Sequence, residues 1–383
     1  MVGVRQRLAE LALHEVHVLF VERPGSALTR IAAERAIAER GWRVARSAAD
    51  ADALLCCGEP GPQLDPLVDR LFAQLPRPRT RERADAPGEV CAALDRILVA
   101  LRSEDAASPI TEGSPARADD AEQTADSADM DHGDMGHGDM DMSGPGGIEL
   151  AGGDTDRDGL EMDVLSVRLG PALPAWPAGL VMSVTLAGDL VTSADVEVIG
   201  ENPGSTGFTA MSGREQAALI ADRIGWLLLL AGAGRAEGRL RQVRDGLLDG
   251  ADIAWCTGRL RRLTARLDRS RSLRWSLRDL GRIDQGVLQE LDLPLHWAGD
   301  VLDRLQRRLP ALSHFVQRIG DTADDAGDLI PPVSRAGLDL VADTARGLDL
   351  GTARLVIASV DIDLAGGAVR RQPALTAGSG EPS

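Results

Sequence analysis

The sequence predicts two folded regions of different class, an α/β domain and an α+β domain, joined by a disordered acidic linker. The first hundred residues alternate short apolar runs with helical patterns, which is typical of a small parallel sheet covered by helices. The last two hundred begin with strand-like runs that favour a β-hairpin and continue as helical patterns that favour a bundle. Between them the chain has few large apolar residues.

The α/β domain is predicted to span residues 1–101. It opens with a buried strand at 14–22, which ends at the Pro24-Gly25 turn, and a helix follows that stops at Gly41. Strands alternating with helices indicate a parallel sheet covered on both faces. The remaining predicted elements are strands at 42–45 and 53–57 and helices at 64–75 and 89–101.

The predicted linker, residues 102–163, explains the acidity of the chain. It contains 18 Asp and Glu and three Arg, a net charge of −15, whereas the whole chain has a net charge of −17. Such self-repulsion disfavours collapse. A flexible coil of this length has a root-mean-square reach of roughly 40–45 Å, which would let the two halves dock on different surfaces.

The α+β domain is predicted at residues 164–366, before a disordered tail at 367–383. Strand-like runs at 164–169, 180–186 and 190–199 precede the helices, and Gly188-Asp189 lies at the hairpin turn. Ser212 and Glu215 have the spacing of a capping box and predict the start of a long helix that runs to Ala231. Further helices are predicted at 236–248, 253–267, 299–309 and 312–319.

A Met/His-rich repeat within the linker is the clearest candidate metal site. Thioether and imidazole ligands together suit Cu(I). The alternative is an acidic tether with weak and incidental copper binding, because the segment offers no second shell to fix a geometry. The candidate ligands are Met130, His132, Met135, His137, Met140 and Met142.

The four cysteines form neither a disulfide framework nor a CxxC pair, which favours a reduced cytosolic setting. Cys56 and Cys57 are adjacent on a predicted strand and must point to opposite faces, so core packing is the favoured interpretation. His296 and His314 have no ligand at metal-binding spacing and are interpreted as structural or surface residues. No apolar run approaches the roughly 20 residues of a membrane-spanning helix.

Residues 235–282 contain 13 Arg and six acidic residues. A nucleic-acid surface would suit this charge, but only Trp255 and Trp275 are aromatic here and no reader motif is present. Contact with an acidic partner subunit or with anionic lipid headgroups is at least as compatible with the pattern. No nucleic-acid partner is therefore favoured.

Three segments in the second half resemble the large quinone-site subunit of respiratory complex I, which is related to the large subunit of [NiFe]-hydrogenases. Residues 169–181 (LGPALPAWPAGLV) and the turn at Gly188-Asp189 resemble its N-terminal hairpin. Residues 299–304 (GDVLDR), followed by further arginines, look like its Gly-Asp-Val helix. Residues 355–361 (LVIASVD) are similar to its C-terminal Ser-x-Asp segment.

The first domain resembles the small, cluster-bearing subunit of complex I. Residues 51–58 (ADALLCCG), a helical pattern at 64–75 and Pro76-Arg-Pro78 follow the order of strand, glycine, helix and proline motif seen in that subunit. The resemblance covers about seventy residues. Together, the two similarities imply a fusion of both quinone-module subunits.

The cofactor ligands of the family are missing. The resemblance implies two CxxC pairs for nickel, but Cys256 is the only cysteine of the second domain. It also implies a His in the hairpin loop, where Leu173 stands, and a catalytic Tyr, whereas the chain has no Tyr. Cys56, Cys57 and Cys91 do not reproduce the spacing of an iron–sulfur cluster.

The resemblance and these departures predict a subunit with no catalytic residue, no cofactor and no activity of its own. It would be a structural or accessory subunit of a membrane-attached complex I-like or hydrogenase-like assembly, cytoplasmic and peripheral on the inner face of the cell membrane. Its partners would be the other subunits. The alternatives are a copper-handling protein that uses the Met/His segment and an oxidoreductase subunit that is active only with partner chains.

Overall fold

The first folded unit is a four-stranded parallel sheet with strand order β2-β1-β3-β4. The computed structural model describes residues 15–102, 153–155, 161–200, 208, 211–319 and 333–364. The elements of this unit are β1 (His17–Glu22), α1 (Ala27–Glu39), β2 (Arg43–Val44), β3 (Ala53–Cys57), α2 (Gly61–Gln74), β4 (Thr80–Ala84) and α3 (Val90–Arg102). The α/β class expected of this region is confirmed.

The central strand β3 is apolar along its whole length because both of its faces are covered. Cys57 packs in the core on one side of the sheet and Cys56 in the core on the other, as their adjacency predicts. Strand β4 was not expected from its polar sequence, TRERA. It lies at the edge of the sheet, and pairing with β3 positions it despite its low apolar content.

Helix α1 is buried on two sides and joins the two halves of the molecule. Ala33, Ala36 and Ile37 pack against the sheet. Ile31 instead belongs to the core of the C-terminal helices, with Leu28 packed beside it. Because apolar residues lie on both faces of α1, the helix has no single polar face. This distribution is the reason that it packs between two cores.

The second unit begins with an antiparallel sheet in the order β5-β6-β7-β8. Its strands are β5 (Gly153–Thr155), β6 (Glu161–Leu169), β7 (Leu180–Ala187) and β8 (Leu190–Val198). The hairpin of β7 and β8 turns at Gly188, as predicted. The predicted linker boundary at residue 163 is wrong: β5 and the start of β6 lie inside that range, because pairing between strands overrides their acidic composition.

Helices pack behind this sheet and against α1. The predicted capping box is confirmed, since Ser212 and Glu215 bond each other's backbone amides at the start of α4. The helices predicted at 299–309 and 312–319 form a single helix, α9, that continues through the exposed Pro310. The helices are α4 (Gly213–Leu230), α5 (Gly234–Leu248), α6 (Ile253–Asp268), α7 (Arg271–Leu277), α8 (Gln285–Glu290), α9 (Val301–Arg318), α10 (Arg335–Ala345) and α11 (Leu350–Val360).

Among the described helices, none combines the length and the apolar character needed to cross a membrane. Short 3₁₀ turns at Ala48–Asp50, Pro87–Glu89 and Leu295–Trp297 complete the described secondary structure.

Candidate functional site at the interface of the two domains

Five charged side chains, three of them buried and two largely buried, connect the first domain to the helices of the second. We call them the interface charge cluster: Glu22 at the end of β1, Arg30 and Glu34 on α1, Asp222 on α4 and Arg244 on α5. Asp222 is the centre of the cluster, because one carboxylate oxygen lies 2.5 Å from Nη2 of Arg30 and the other lies 2.6 Å from Nη1 of Arg244. Arg244 Nη1 also lies 2.7 Å from Oε2 of Glu34, so two ion pairs, Arg30 with Asp222 and Arg244 with Glu34, cross between the halves.

The cluster contains three carboxyl groups and two guanidinium groups, and burial sets their protonation. Burial raises the pKa of Glu22 above its ordinary value, and the neighbouring Arg30 only partly offsets the effect. Burial acts on Asp222 in the same direction, but the attraction of Arg30 and Arg244 outweighs it, so the pKa of Asp222 lies below its ordinary value. Of these two carboxyl groups, Glu22 is therefore the one that takes up a proton more readily.

The Glu22→Gln variant is expected to gain stability relative to wild type as the pH rises above about 4.5, the ordinary pKa of Glu. Because the folded-state pKa of Glu22 is raised, wild type loses stability as the pH rises through that pKa, and the Gln variant does not. Urea midpoints of both proteins between pH 4 and pH 8 would measure the difference.

Asp222→Asn provides a control of opposite sign for this experiment. The pKa of Asp222 is lowered, so wild type loses its contribution as the pH falls through that pKa. The stability deficit of the Asn variant should therefore stay constant between pH 4 and pH 8 and shrink only below about 3.8, the ordinary Asp value. A midpoint difference between Glu22→Gln and wild type that stays constant with pH would contradict the assignment of a raised pKa to Glu22.

Two glycines allow the base of the β-hairpin to approach the first domain closely. Gly179 and Gly200 have φ values of +79° and +72°, a backbone region that side chains disfavour. A Cβ at Gly179 would lie 2.5 Å from Cγ of Pro24, and one at Gly200 would lie 2.5 Å from Cδ1 of Leu64. The backbone N–H of Gly200 donates a hydrogen bond of 2.8 Å to the Gln63 side chain, so this contact is specific as well as close.

A cavity of about 360 Å³ lies beside the interface charge cluster, within the size range of small-molecule sites. We call it the interface cavity. Three parts of the chain form its walls: Phe20 and its neighbours on the first domain, the loop between β6 and β7 at residues 171–176, and α4 with α5. Trp226 of α4 lines the cavity, and the guanidinium of Arg30 lies 5.1 Å from the centre of its ring.

One hydrogen-bond donor in the wall of this cavity has no partner in the described part of the chain. Arg244 lines the cavity, its side chain is 2% exposed, and its Nη2 atom makes no hydrogen bond there. A buried donor left without an acceptor is costly. Nη2 itself has almost no exposed surface, so this donor lies behind the cavity wall and is not open to a molecule in the cavity.

A second buried group, which we call the motif cluster, joins α9 to the end of α11. It consists of Arg223, Arg304, Arg308, Ser359 and Asp361. Arg304 Nε donates to the Ser359 hydroxyl at 2.8 Å, and Arg308 Nη2 lies 2.5 Å from the Asp361 carboxylate. Arg223 of α4 binds the other oxygen of Asp361 at 3.1 Å. The structure thus brings the segments at 299–308 and 355–361 into direct contact.

Arg304 binds three backbone carbonyl groups from two separate parts of the second domain. Its side chain is fully buried and donates to the carbonyl oxygens of Trp297, Gly299 and Gly281 at 2.6–3.1 Å. Burial lowers the pKa of Arg304 to about 10. Asp300 forms a capping box with Asp303 at the start of α9. Arg304, Asp300 and Asp303 therefore stabilise the fold at the start of α9.

The chain matches no family model, and no curated protein matches it either. Its function must therefore be argued from the geometry of the two clusters and the interface cavity. Both clusters lie in the second domain or at its border with the first, and Arg223 follows Asp222 directly, so α4 contributes to both. Helix α4 is consequently the element on which the whole candidate site depends.

The sequence-predicted site residues fall in different places. Met130, His132, Met135, His137, Met140 and Met142 lie outside the described residues, so their predicted copper binding remains a prediction. Within the described ranges, no group of three or more His, Cys, Asp or Glu side chains is placed to hold a metal ion. Cys56, Cys57 and Cys256 are buried, and Cys91 is exposed.

Sequence reasoning missed the interface charge cluster. A signal was present, because Asp222 stands within the apolar run of α4, where a solvated residue has no place. It could not identify the partners, since Arg30 lies 192 positions away. Leu173, the position at which the resemblance implies a His, does lie in the wall of the interface cavity.

The native protein is expected to react with one equivalent of a thiol reagent at pH 8. Burial raises the pKa of Cys56 to about 11 and that of Cys57 well above its ordinary value, so both remain protonated and shielded. Cys256 is fully buried as well, which leaves Cys91. Titration with Ellman's reagent should give one thiol in buffer and four in denaturant. Rapid labelling of a second cysteine in buffer would show that the sheet core opens easily.

Proposed function

We propose that this chain is a non-catalytic structural or accessory subunit of a membrane-attached assembly similar to complex I or to a membrane-bound hydrogenase. The contact between its Gly-Asp-Val segment and its Ser-x-Asp segment, through Arg304 and Ser359, carries the proposal. Two segments that resemble one family and lie far apart in the sequence meet through buried hydrogen bonds, as shared ancestry would require.

The docking of the two halves also supports this proposal. The resemblance implies a fusion of the two quinone-module subunits, with Leu173 at the position of the hairpin-loop His. In this chain, residues 171–176 line a cavity together with the first domain and α4. The loop carries Leu173 rather than a proton donor. The arrangement is consistent with a quinone-module scaffold that supplies no catalytic proton.

Purification of the tagged full-length chain from membranes of its source cells tests the proposal. Stoichiometric co-purification of subunits that resemble those of NADH–quinone oxidoreductases or hydrogenases, with no iron or nickel assigned to this chain by metal analysis, is the expected result. Recovery of the chain alone, or iron or nickel bound to the isolated chain at one equivalent, would count against the proposal. Quinone reduction by the isolated chain would also overturn it.

The interface cavity favours a second and compatible function, the binding of a small ligand without turnover. Four acidic side chains and four arginines line the cavity, so their formal charges balance and the wall offers no net positive charge to an anion. A neutral molecule with a flat apolar body that packs on Trp226 suits the cavity better. Through the resemblance, a quinone is the ligand class implied.

Titration with decylubiquinone, read by tryptophan fluorescence, tests this second function. Gly225→Leu should abolish saturable quenching, because Gly225 lines the cavity and a Cβ there has only an ordinary contact of 3.9 Å. Gly238→Leu is the matched control, since Gly238 does not line the cavity and a Cβ there meets nothing within 4 Å. Equal quenching in wild type and in Gly225→Leu would place the ligand elsewhere.

A further inference from the structure

Seven exposed arginines follow one another over 18 residues of α6 and α7. We call them the arginine face. None of their side chains makes a hydrogen bond or ion pair with any residue in the described ranges, and Asp268 is the only acidic residue between the first and the last. The seven are Arg261, Arg262, Arg266, Arg269, Arg271, Arg274 and Arg278.

Elsewhere in the described chain, exposed arginines commonly have a carboxylate beside them. Arg81, Arg96 and Arg335 are examples, with ion pairs of 2.5, 2.7 and 2.9 Å. The concentration of unpaired positive charge therefore distinguishes the arginine face from the rest of the described surface. Such a surface attracts anionic partners within about 10 Å at moderate salt.

The arginine face also presents a large aromatic side chain. Trp275 is 86% exposed, the most exposed of the large apolar side chains in the described residues. The fold holds it outward, because Leu273 and Leu277 of the same helix are buried and Ser270 caps the start of that helix. Arg274 directly precedes the indole in sequence, and Arg271 and Arg278 lie one turn away on either side.

We propose that the arginine face docks on an anionic lipid bilayer, with Trp275 inserted at the level of the headgroups. Indole rings favour the membrane–water interface, and each arginine near a surface of anionic lipid strengthens partitioning by about fivefold. A nucleic-acid partner would stack several aromatic rings on its bases, and this face offers one exposed ring among seven arginines. The inference deepens the proposed membrane attachment and assigns the lipid contact to this chain itself.

Co-sedimentation of the full-length protein with vesicles tests the inference. Binding to vesicles of 30% phosphatidylglycerol in phosphatidylcholine is expected, together with at least tenfold weaker binding to pure phosphatidylcholine. Arg271→Gln with Arg274→Gln should weaken binding to the anionic vesicles by about 25-fold. Arg70→Gln with Arg235→Gln is the matched control and should change it less than threefold, because both residues are exposed and unpaired in the described chain but lie outside the arginine face.

Trp275→Ser separates a bilayer from other anionic partners. Quenching of tryptophan fluorescence by brominated lipid should occur in wild type and disappear in this variant. Urea midpoints of all variants should match that of wild type, because the substituted side chains are exposed. Since the vesicles contain no protein, this result does not depend on whether partner subunits exist.

Three outcomes would overturn the inference. Binding that is equal for both lipid compositions would remove the electrostatic argument. Vesicle binding that Arg271→Gln with Arg274→Gln leaves unchanged would place the lipid contact on another surface. Absence of vesicle binding, with retention of single-stranded RNA that the same double variant abolishes, would assign the arginine face to nucleic acid.

Discussion

Replacing Asp222 with Ala is expected to lower the free energy of unfolding by about 3–5 kcal/mol. The substitution removes the carboxylate that Arg30 and Arg244 share and leaves two buried guanidinium groups with fewer partners. Because natural domains are stable by about 5–15 kcal/mol, the loss would be a large part of the total. Urea denaturation at pH 7, followed by circular dichroism, measures it.

Asp95→Ala is the matched control for this prediction. Asp95 also pairs with an arginine, Arg40, at 2.8 Å, but its side chain is 68% exposed. Exposed pairs contribute at most about 1 kcal/mol, so the control should unfold close to wild type. If Asp222→Ala costs no more than Asp95→Ala, the two domains do not depend on the interface charge cluster for their docking.

Replacing Arg304 with Met is expected to cost about 3–5 kcal/mol as well, because each buried acceptor that loses its donor costs about 1–3 kcal/mol. Methionine fills much of the space of the arginine but donates no hydrogen bond. The carbonyl groups of Trp297 and Gly281 and the hydroxyl of Ser359 would then lose a buried partner. Thermal and urea unfolding of the purified variant would measure the loss.

Arg307→Met, on the same helix, is the control for Arg304→Met. Arg307 also donates to backbone carbonyls, those of His296 and Ala298, but its side chain is exposed and water can replace it. Its expected cost is about 1 kcal/mol. Equal losses from both substitutions would mean that the burial of Arg304 has no energetic consequence, and the motif cluster would lose its structural interpretation.

Local signals in the sequence predicted much of the fold. The capping box at Ser212 and Glu215, the hairpin turn at Gly188 and the opposite directions of Cys56 and Cys57 each depend on neighbouring residues, and each is confirmed. Strand β4 and the start of β6 were missed because their residues are polar and only the adjacent strand makes them part of a sheet. Helix α9 was divided at Pro310, whose cost the packing on both sides outweighs.

The candidate site was less accessible to sequence reasoning than the fold. The resemblance selected Arg304, Arg308 and Asp361, and these residues do meet. It gave no indication of Asp222 or Arg244, which stand among several other charged residues of their helices. Each of the two forms an ion pair with a residue of the other half of the chain. Such a pair forms only when both halves have folded and docked, so the local sequence does not reveal it.

The interface charge cluster has a consequence for how the halves recognise each other. Before docking, water solvates the charged groups on both halves, which are Glu22, Arg30 and Glu34 on one and Asp222 and Arg244 on the other. Neither surface is then a purely hydrophobic patch that would promote aggregation. After docking with a wrong surface, the same groups would lose water without gaining partners. The interface charge cluster therefore acts mainly through specificity: the free-energy cost of docking on a wrong surface is larger than the net gain from docking on the correct one.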